Sequence, residues 1–85
     1  MNFTTEKNRI YYEADGKLLA EITFIDSNEN SMTINHTFVD DSLRGQGIAS
    51  QLVQAAVNEI KKQKKHVKAS CSYAVNWLAK HPDAA

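Results

Sequence analysis

Between residues 17 and 25 the side chains alternate. Leu18, Ala20, Ile22 and Phe24 fall on one side and Lys17, Leu19, Glu21 and Thr23 on the other. Period-two alternation marks a half-buried antiparallel strand. The run before it, Arg9–Ala14, is rich in tyrosine and isoleucine and ends at Asp15-Gly16, a strong short hairpin signal. The cluster Asp26-Ser27-Asn28-Glu29-Asn30 predicts a turn. A third strand follows over Ser31–Val39, with Met32, Ile34, His36 and Phe38 expected on one face. Thr33, Asn35, Thr37 and Val39 are expected on the other.

From Gly47 the period changes. Ile48, Leu52, Ala55, Ala56 and Ile60 recur at three- and four-residue spacing, and Ala49, Val53 and Val57 widen the stripe into an amphipathic helix. Its end, Lys61-Lys62-Gln63-Lys64-Lys65, places positive charge at the negative pole of the helix dipole. Val67–Cys71 reads as a fourth strand, parallel to the third through a right-handed crossover. A short helix over Ala74–Lys80 follows, with Val75, Leu78 and Ala79 expected on its buried side and His81-Pro82 as its stop. The predicted fold is α+β, in the order β-β-β-α-β-α.

Composition narrows the function classes. Eighty-five residues make one small domain, with room for one sheet and two helices. Apolar content of 42% and charged content of 24% are those of a soluble globular chain, which excludes a disordered one. Zero net charge supplies no field toward nucleic acid or a membrane and makes weak homo-oligomerisation easy. The single Cys71 excludes an internal disulfide framework and any multi-cysteine zinc site, and it fits a reducing compartment. Met1-Asn2-Phe3-Thr4 has no basic segment followed by an apolar run, and no apolar run is long enough to span a membrane. The expected location is cytoplasmic. Asp40 and Asp41 lack a third ligand at suitable spacing, so no metal is expected.

The chemistry concentrates between the third strand and the long helix, in Arg44-Gly45-Gln46-Gly47-Ile48-Ala49. Two glycines permit positive φ and close approach of a ligand to the backbone. The first amides of a helix have no intrahelical partner, and the dipole favours an anion there. Arg44 adds a cation suited to phosphate oxygens. The loop is neither a G-x-G-x-x-G nor a Gly-Lys-Ser/Thr phosphate loop.

The pattern R/Q-x-x-G-x-G/A, opening a helix after a strand, resembles the acetyl-CoA motif of the GNAT acetyltransferase superfamily. Arg44, Gly47 and Ala49 fill its fixed positions. His36-Thr37-x-Val39, Leu43–Gly47, Cys71-Ser72-Tyr73 and His81-Pro82 together resemble the small single-domain YjdJ-type branch, so the likeness runs from the first hairpin to His81-Pro82. The resemblance implies a GNAT-like fold. It also implies acetyl-CoA as co-substrate, with backbone at Phe38 and Val39 pairing with the pantetheine arm. The amides of Arg44, Gly45, Gln46, Gly47, Ile48 and Ala49 would then hold the pyrophosphate. Phe38 occupies a position that is often acidic in this branch, so no general base stands there. Full-size members carry helices between their first two strands that wall the acceptor side; here Asp15-Gly16 joins those strands directly. The acceptor side is therefore open or completed by a partner.

Three residues are candidates for the reacting groups. Cys71, at the expected end of the fourth strand, is either a nucleophile that takes the acetyl group or a small buried side chain. His36 is the candidate proton acceptor for that thiol or for the incoming amine, or a core histidine bonded to a neighbouring strand. Tyr73 either protonates the departing thiolate or packs on Trp77; larger GNAT domains use a tyrosine further along this helix for that step. The leading reading is transfer of an acetyl group to an unidentified amine, either directly or through Cys71. The alternatives are a coenzyme A-binding module without transfer activity and an adaptor that binds acidic protein or nucleic acid through Lys61–Lys65. Without interleaved aromatics, and with compensating acids elsewhere, that lysine run reads better as a solvated helix end, so nucleic acid is disfavoured.

Overall fold

The hairpin at Asp15-Gly16 closes on two residues of positive φ, Asp15 at 53° and Gly16 at 77°, as a tight two-residue turn requires. A computed structural model describes residues 1–84. The hairpin joins β2 (Arg9–Ala14) to β3 (Lys17–Asn28), and a second turn leads to β4 (Ser31–Val39). Helix α1 (Ile48–Lys62) crosses to β5 (His66–Ala69), and α2 (Ser72–Lys80) follows. Short 3-10 turns cover Asp41–Leu43 and Pro82–Ala84. An additional strand, β1 (Thr4–Glu6), pairs antiparallel with β2 at the sheet edge. Its residues Thr-Thr-Glu are all exposed, so no apolar alternation announces it. The sheet order is β1-β2-β3-β4-β5, antiparallel except for the parallel β4–β5 pair.

One face of the sheet carries the core. Ile10, Ile22, Phe24, Met32, Ile34 and Val67 pack against Leu52, Val53, Ala56, Val57 and Ile60 of α1. Full burial of such side chains stabilises by about 1.5–3 kcal/mol each, and this stripe is what seats α1 on the sheet. The helix ends as its charges imply, with Lys61 and Lys62 in the last turn. Lys62 meets Glu59, Lys65 meets Asp26 and Lys61 donates to the Asp83 carbonyl, so the lysine run is tied down locally.

Helix α2 buries Ala74 and Trp77, and Leu78 packs half-buried against the core as expected, but Val75 and Ala79 are exposed. The reason is that the helix begins two residues early, at Ser72, and takes its orientation from Trp77, whose indole reaches α1. Strand β5 correspondingly ends at Ala69, and Cys71 caps α2 instead of ending the strand.

The larger correction lies in β4. Its register against β3 shifts between Thr23↔His36 and Phe24↔Ile34, leaving Asn35 as the extra residue of a β-bulge. Alternation reverses there. Met32 and Ile34 face α1, but beyond the bulge Thr37 and Val39 pair with the buried Ile22 and Ala20. His36 and Phe38, expected on the face of Met32 and Ile34, point the other way, opposite Thr23 and Glu21.

Candidate functional site

The parallel pairing of β4 and β5 ends at Ile34↔Ala69, with one further bond from the Ser70 amide to the Ile34 carbonyl at 3.0 Å. Strand β4 continues through Asn35–Val39 without a neighbour on that side. The two strands part, and a cleft of about 350 Å³ opens on the α1 side of the gap. Thr37 and Val39 form its floor, and Leu43, Arg44, Gly45 and Gly47 its rim. The first turn of α1 (Ile48, Ala49 and Ser50) and Tyr73 of α2 close it.

The local sequence explains the rim. Asp40 caps the 3-10 turn by accepting from the Ser42 amide at 3.1 Å and the Ser42 hydroxyl at 2.7 Å. Those two bonds, with Lys17 at 3.6 Å, hold the Asp40 carboxyl below the usual carboxylate range. Gly45 at φ 82° and Gly47 at φ 72° then turn the chain into α1. Gly47 is the N-cap and offers no side chain to the helix end. The first intrahelical bond runs from the Gln51 amide to the Gly47 carbonyl at 3.1 Å, so the amides of Ile48, Ala49 and Ser50 are not consumed by the helix. A methyl group built at Gly45 or Gly47 would meet no protein atom within 4 Å. The glycines thus keep space open beside unpaired donors, which suits an anion approaching the backbone. Arg44, with its side chain 76% exposed, pairs with Asp41 at 2.9 Å.

Of the residues singled out from sequence, Val39, Arg44, Gly45, Gly47, Ile48, Ala49 and Tyr73 come together in this cleft. Gln46 lies between the two glycines and is exposed. Cys71 is half-buried at the gap, its Sγ 3.4 Å from Thr37 Oγ1. Tyr73 is 41% exposed and leaves Trp77 to stack on His81. His36 and Phe38 stand apart on the opposite sheet face. There His36 Nε2 lies 3.6 Å from Glu21 Oε1, and Arg9 Nε bonds the other Glu21 oxygen at 2.5 Å. This bond is the first cause of the raised Arg9 pKa. Sequence reasoning missed Thr37, Leu43 and Ser50. Ser50 was legible as the third residue of α1; Thr37 was hidden by the bulge. Among the described residues no three His, Cys, Asp or Glu side chains converge, and no helix is long and apolar enough to cross a membrane.

Comparison with known proteins agrees with this geometry. Residues 9–85 match the family model described as GCN5-related N-acetyl-transferase. A comparison with curated proteins finds no match. The structure is similar to that of a GCN5-like protein from Staphylococcus aureus, solved by NMR in solution. Identity is 32% and the TM-score 0.79, over 98% of this chain and 82% of the other. It is also similar to an N-acetyltransferase from Staphylococcus aureus Mu50, with 26% identity, a TM-score of 0.65, and 87% and 50% of the two chains covered. An acetyltransferase fold from Clostridium acetobutylicum, solved with acetyl-CoA, is similar at 21% identity and a TM-score of 0.65, over 86% and 55% of the chains. The chain spans about half the length of these last two. With the family model covering nearly its whole length, the chain belongs to the GCN5-related N-acetyltransferase (GNAT) family.

Proposed function

We propose that the protein binds acetyl-CoA in the cleft between β4 and α1 and transfers its acetyl group to an amine. The observation that carries this reading is the pair of positive-φ glycines beside the unspent amides of Ile48, Ala49 and Ser50. These donors suit a pyrophosphate, and Arg44 supplies a flanking positive charge. The free edge of β4 along Thr37–Val39 offers backbone groups to an extended pantetheine arm. The co-substrate supplies an activated thioester; the chain's own groups orient it and move protons.

Cys71 and Tyr73 flank the gap in which the thioester would lie. In the covalent route the Cys71 sulfur bonds the acetyl carbon as the carbon–sulfur bond of the thioester breaks, and the thiol proton passes to the departing sulfur. An amine then displaces Cys71, which recovers a proton from the ammonium. In the direct route the amine attacks the thioester and Tyr73 protonates the leaving sulfur. His36 belongs on the acceptor side in either route, as a base for the incoming amine. Among the described residues both helices pack into the core on the other sheet face, which leaves the acceptor side open to a partner or a large substrate. The cytoplasm, as the expected compartment, supplies acetyl-CoA.

Intact-mass measurement after incubation with acetyl-CoA, with and without a panel of amines, tests the reading. Acetylated amine or acetylated protein, with release of free coenzyme A thiol, supports it. Coenzyme A binding without release of thiol would leave a binding module, and absence of both would refute it.

A further inference from the structure

On the sheet face away from the core, three residues stand in one row across three strands: Tyr11 pairs with Glu21, and Glu21 with Phe38. Cross-strand partners share a face, so the Glu21 carboxylate lies between two aromatic rings. Its side chain is 17% exposed, and Phe38 is 36% exposed.

One side of this row grips a cation. The Arg9 guanidinium lies 3.8 Å over the Tyr11 ring and donates to Glu21 Oε2, so an aromatic face and a carboxylate oxygen hold one charged group together. Glu6, at 3.5 Å from Arg9 Nη1, keeps the guanidinium on the β2 side. The β4 side repeats the same ingredients. Phe38 supplies the ring, and Glu21 Oε1 makes no hydrogen bond among the described residues. It faces His36 Nε2 at 3.6 Å, beyond hydrogen-bond reach. His36 and Phe38 both belong to the stretch of β4 without a β5 neighbour, along which the thioester would be presented.

We propose that the β4 side of this row receives the acceptor as an alkylammonium, a primary ammonium on an unbranched apolar chain. One N–H donates to Glu21 Oε1, a second faces His36 Nε2, and the adjoining methylenes lie on Phe38. Glu21 stays ionised and takes no proton; it selects for the charge of the acceptor. The inference rests on the acetyl-transfer reading above and names the class of amine. A free diamine and a lysine side chain share this chemistry.

NMR titration with pentylammonium, against pentanol as its uncharged counterpart, tests the site without any acetyl transfer. Pentylammonium should shift the amides of Glu21, His36 and Phe38, and pentanol should not. Glu21→Gln should weaken pentylammonium about tenfold, the low end for a charge-assisted bond. Phe38→Leu keeps an apolar side chain and removes the ring; it should weaken the same ligand about two- to fivefold. In acetyl transfer the KM for pentylamine should rise in step with these losses. Diaminobutane and Nα-acetyl-lysine amide, assayed side by side, distinguish a free acceptor from a peptide-borne one. Equal shifts by pentanol, or parent-like affinity in a folded Glu21→Gln, overturn the proposal. Should Glu21→Gln fail to fold, the parent titration decides alone: no shifts specific to the ammonium refute it. Binding at this row without transfer to any amine would refute the function proposed above and leave the site standing; transfer to pentylamine with no dependence on Glu21 would do the reverse.

Discussion

Thr37 Oγ1 and Cys71 Sγ lie 3.4 Å apart, bridging β4 and the start of α2 at the point where the sheet splits. That contact holds the only thiol of the chain at the gap, on the α1 side, while His36 occupies the opposite face.

The covalent route therefore predicts one acetyl mass on the protein, labile to hydroxylamine and absent in Cys71→Ala. His36→Ala should slow transfer to the amine far more than it slows labelling of Cys71, by about 10²-fold or more for loss of a general base. Equal slowing of both steps would show that His36 serves the thiol after all. Transfer at the parent rate by Cys71→Ala would establish direct attack.

What could be read from the sequence follows from where local signals govern. The Asp15-Gly16 turn, the bounds of β2 and β4 and the buried stripe of α1 all emerged as expected, because turn chemistry and periodicity act within a few residues. The glycine loop was legible for the same reason. The bulge at Asn35 was not: an inserted residue changes no composition, and only pairing with β3 reveals that His36 and Phe38 have changed sides. Nor was the role of Trp77, whose partner Ser50 is 27 residues distant. Strand β1 has no apolar face and exists by pairing with β2 alone.

Arg44 and Asp41 form an exposed ion pair at the cleft rim, which predicts opposite effects of removing each. Arg44→Ala should weaken coenzyme A binding by about tenfold, the low end for a charge-assisted bond, and flatten its salt dependence. Asp41→Asn frees Arg44 and should strengthen binding. Calorimetry at several ionic strengths checks both, and parallel shifts in the two variants would rule out competition between Asp41 and phosphate.

Asp40 links the turn to acid stability. Its carboxyl is held below the usual range by the Ser42 bonds, so its contribution is present above the unfolded-state value and is lost as pH falls through the lower folded one. Thermal melts should show Asp40→Asn less stable than the parent at neutral pH. The gap should begin to narrow as the pH drops below about 4, near the unfolded-state value, and close only once the pH has fallen through the lower folded one. A gap that persists unchanged in acid would mean that the Asp40 charge has no part in holding the turn.

The central claim is that this glycine turn is a nucleotide phosphate site. Calorimetric titration of coenzyme A into the parent and into Gly47→Val measures it most directly, with circular dichroism to verify that the variant is folded. At Gly47 the added side chain meets no protein atom, yet it occupies the approach to the amides of Ile48 and Ala49 and strains a backbone at φ 72°. Binding by the parent and a loss of well over tenfold in the folded variant is the predicted result. Equal affinity in the two proteins, or no binding by the parent, would contradict it.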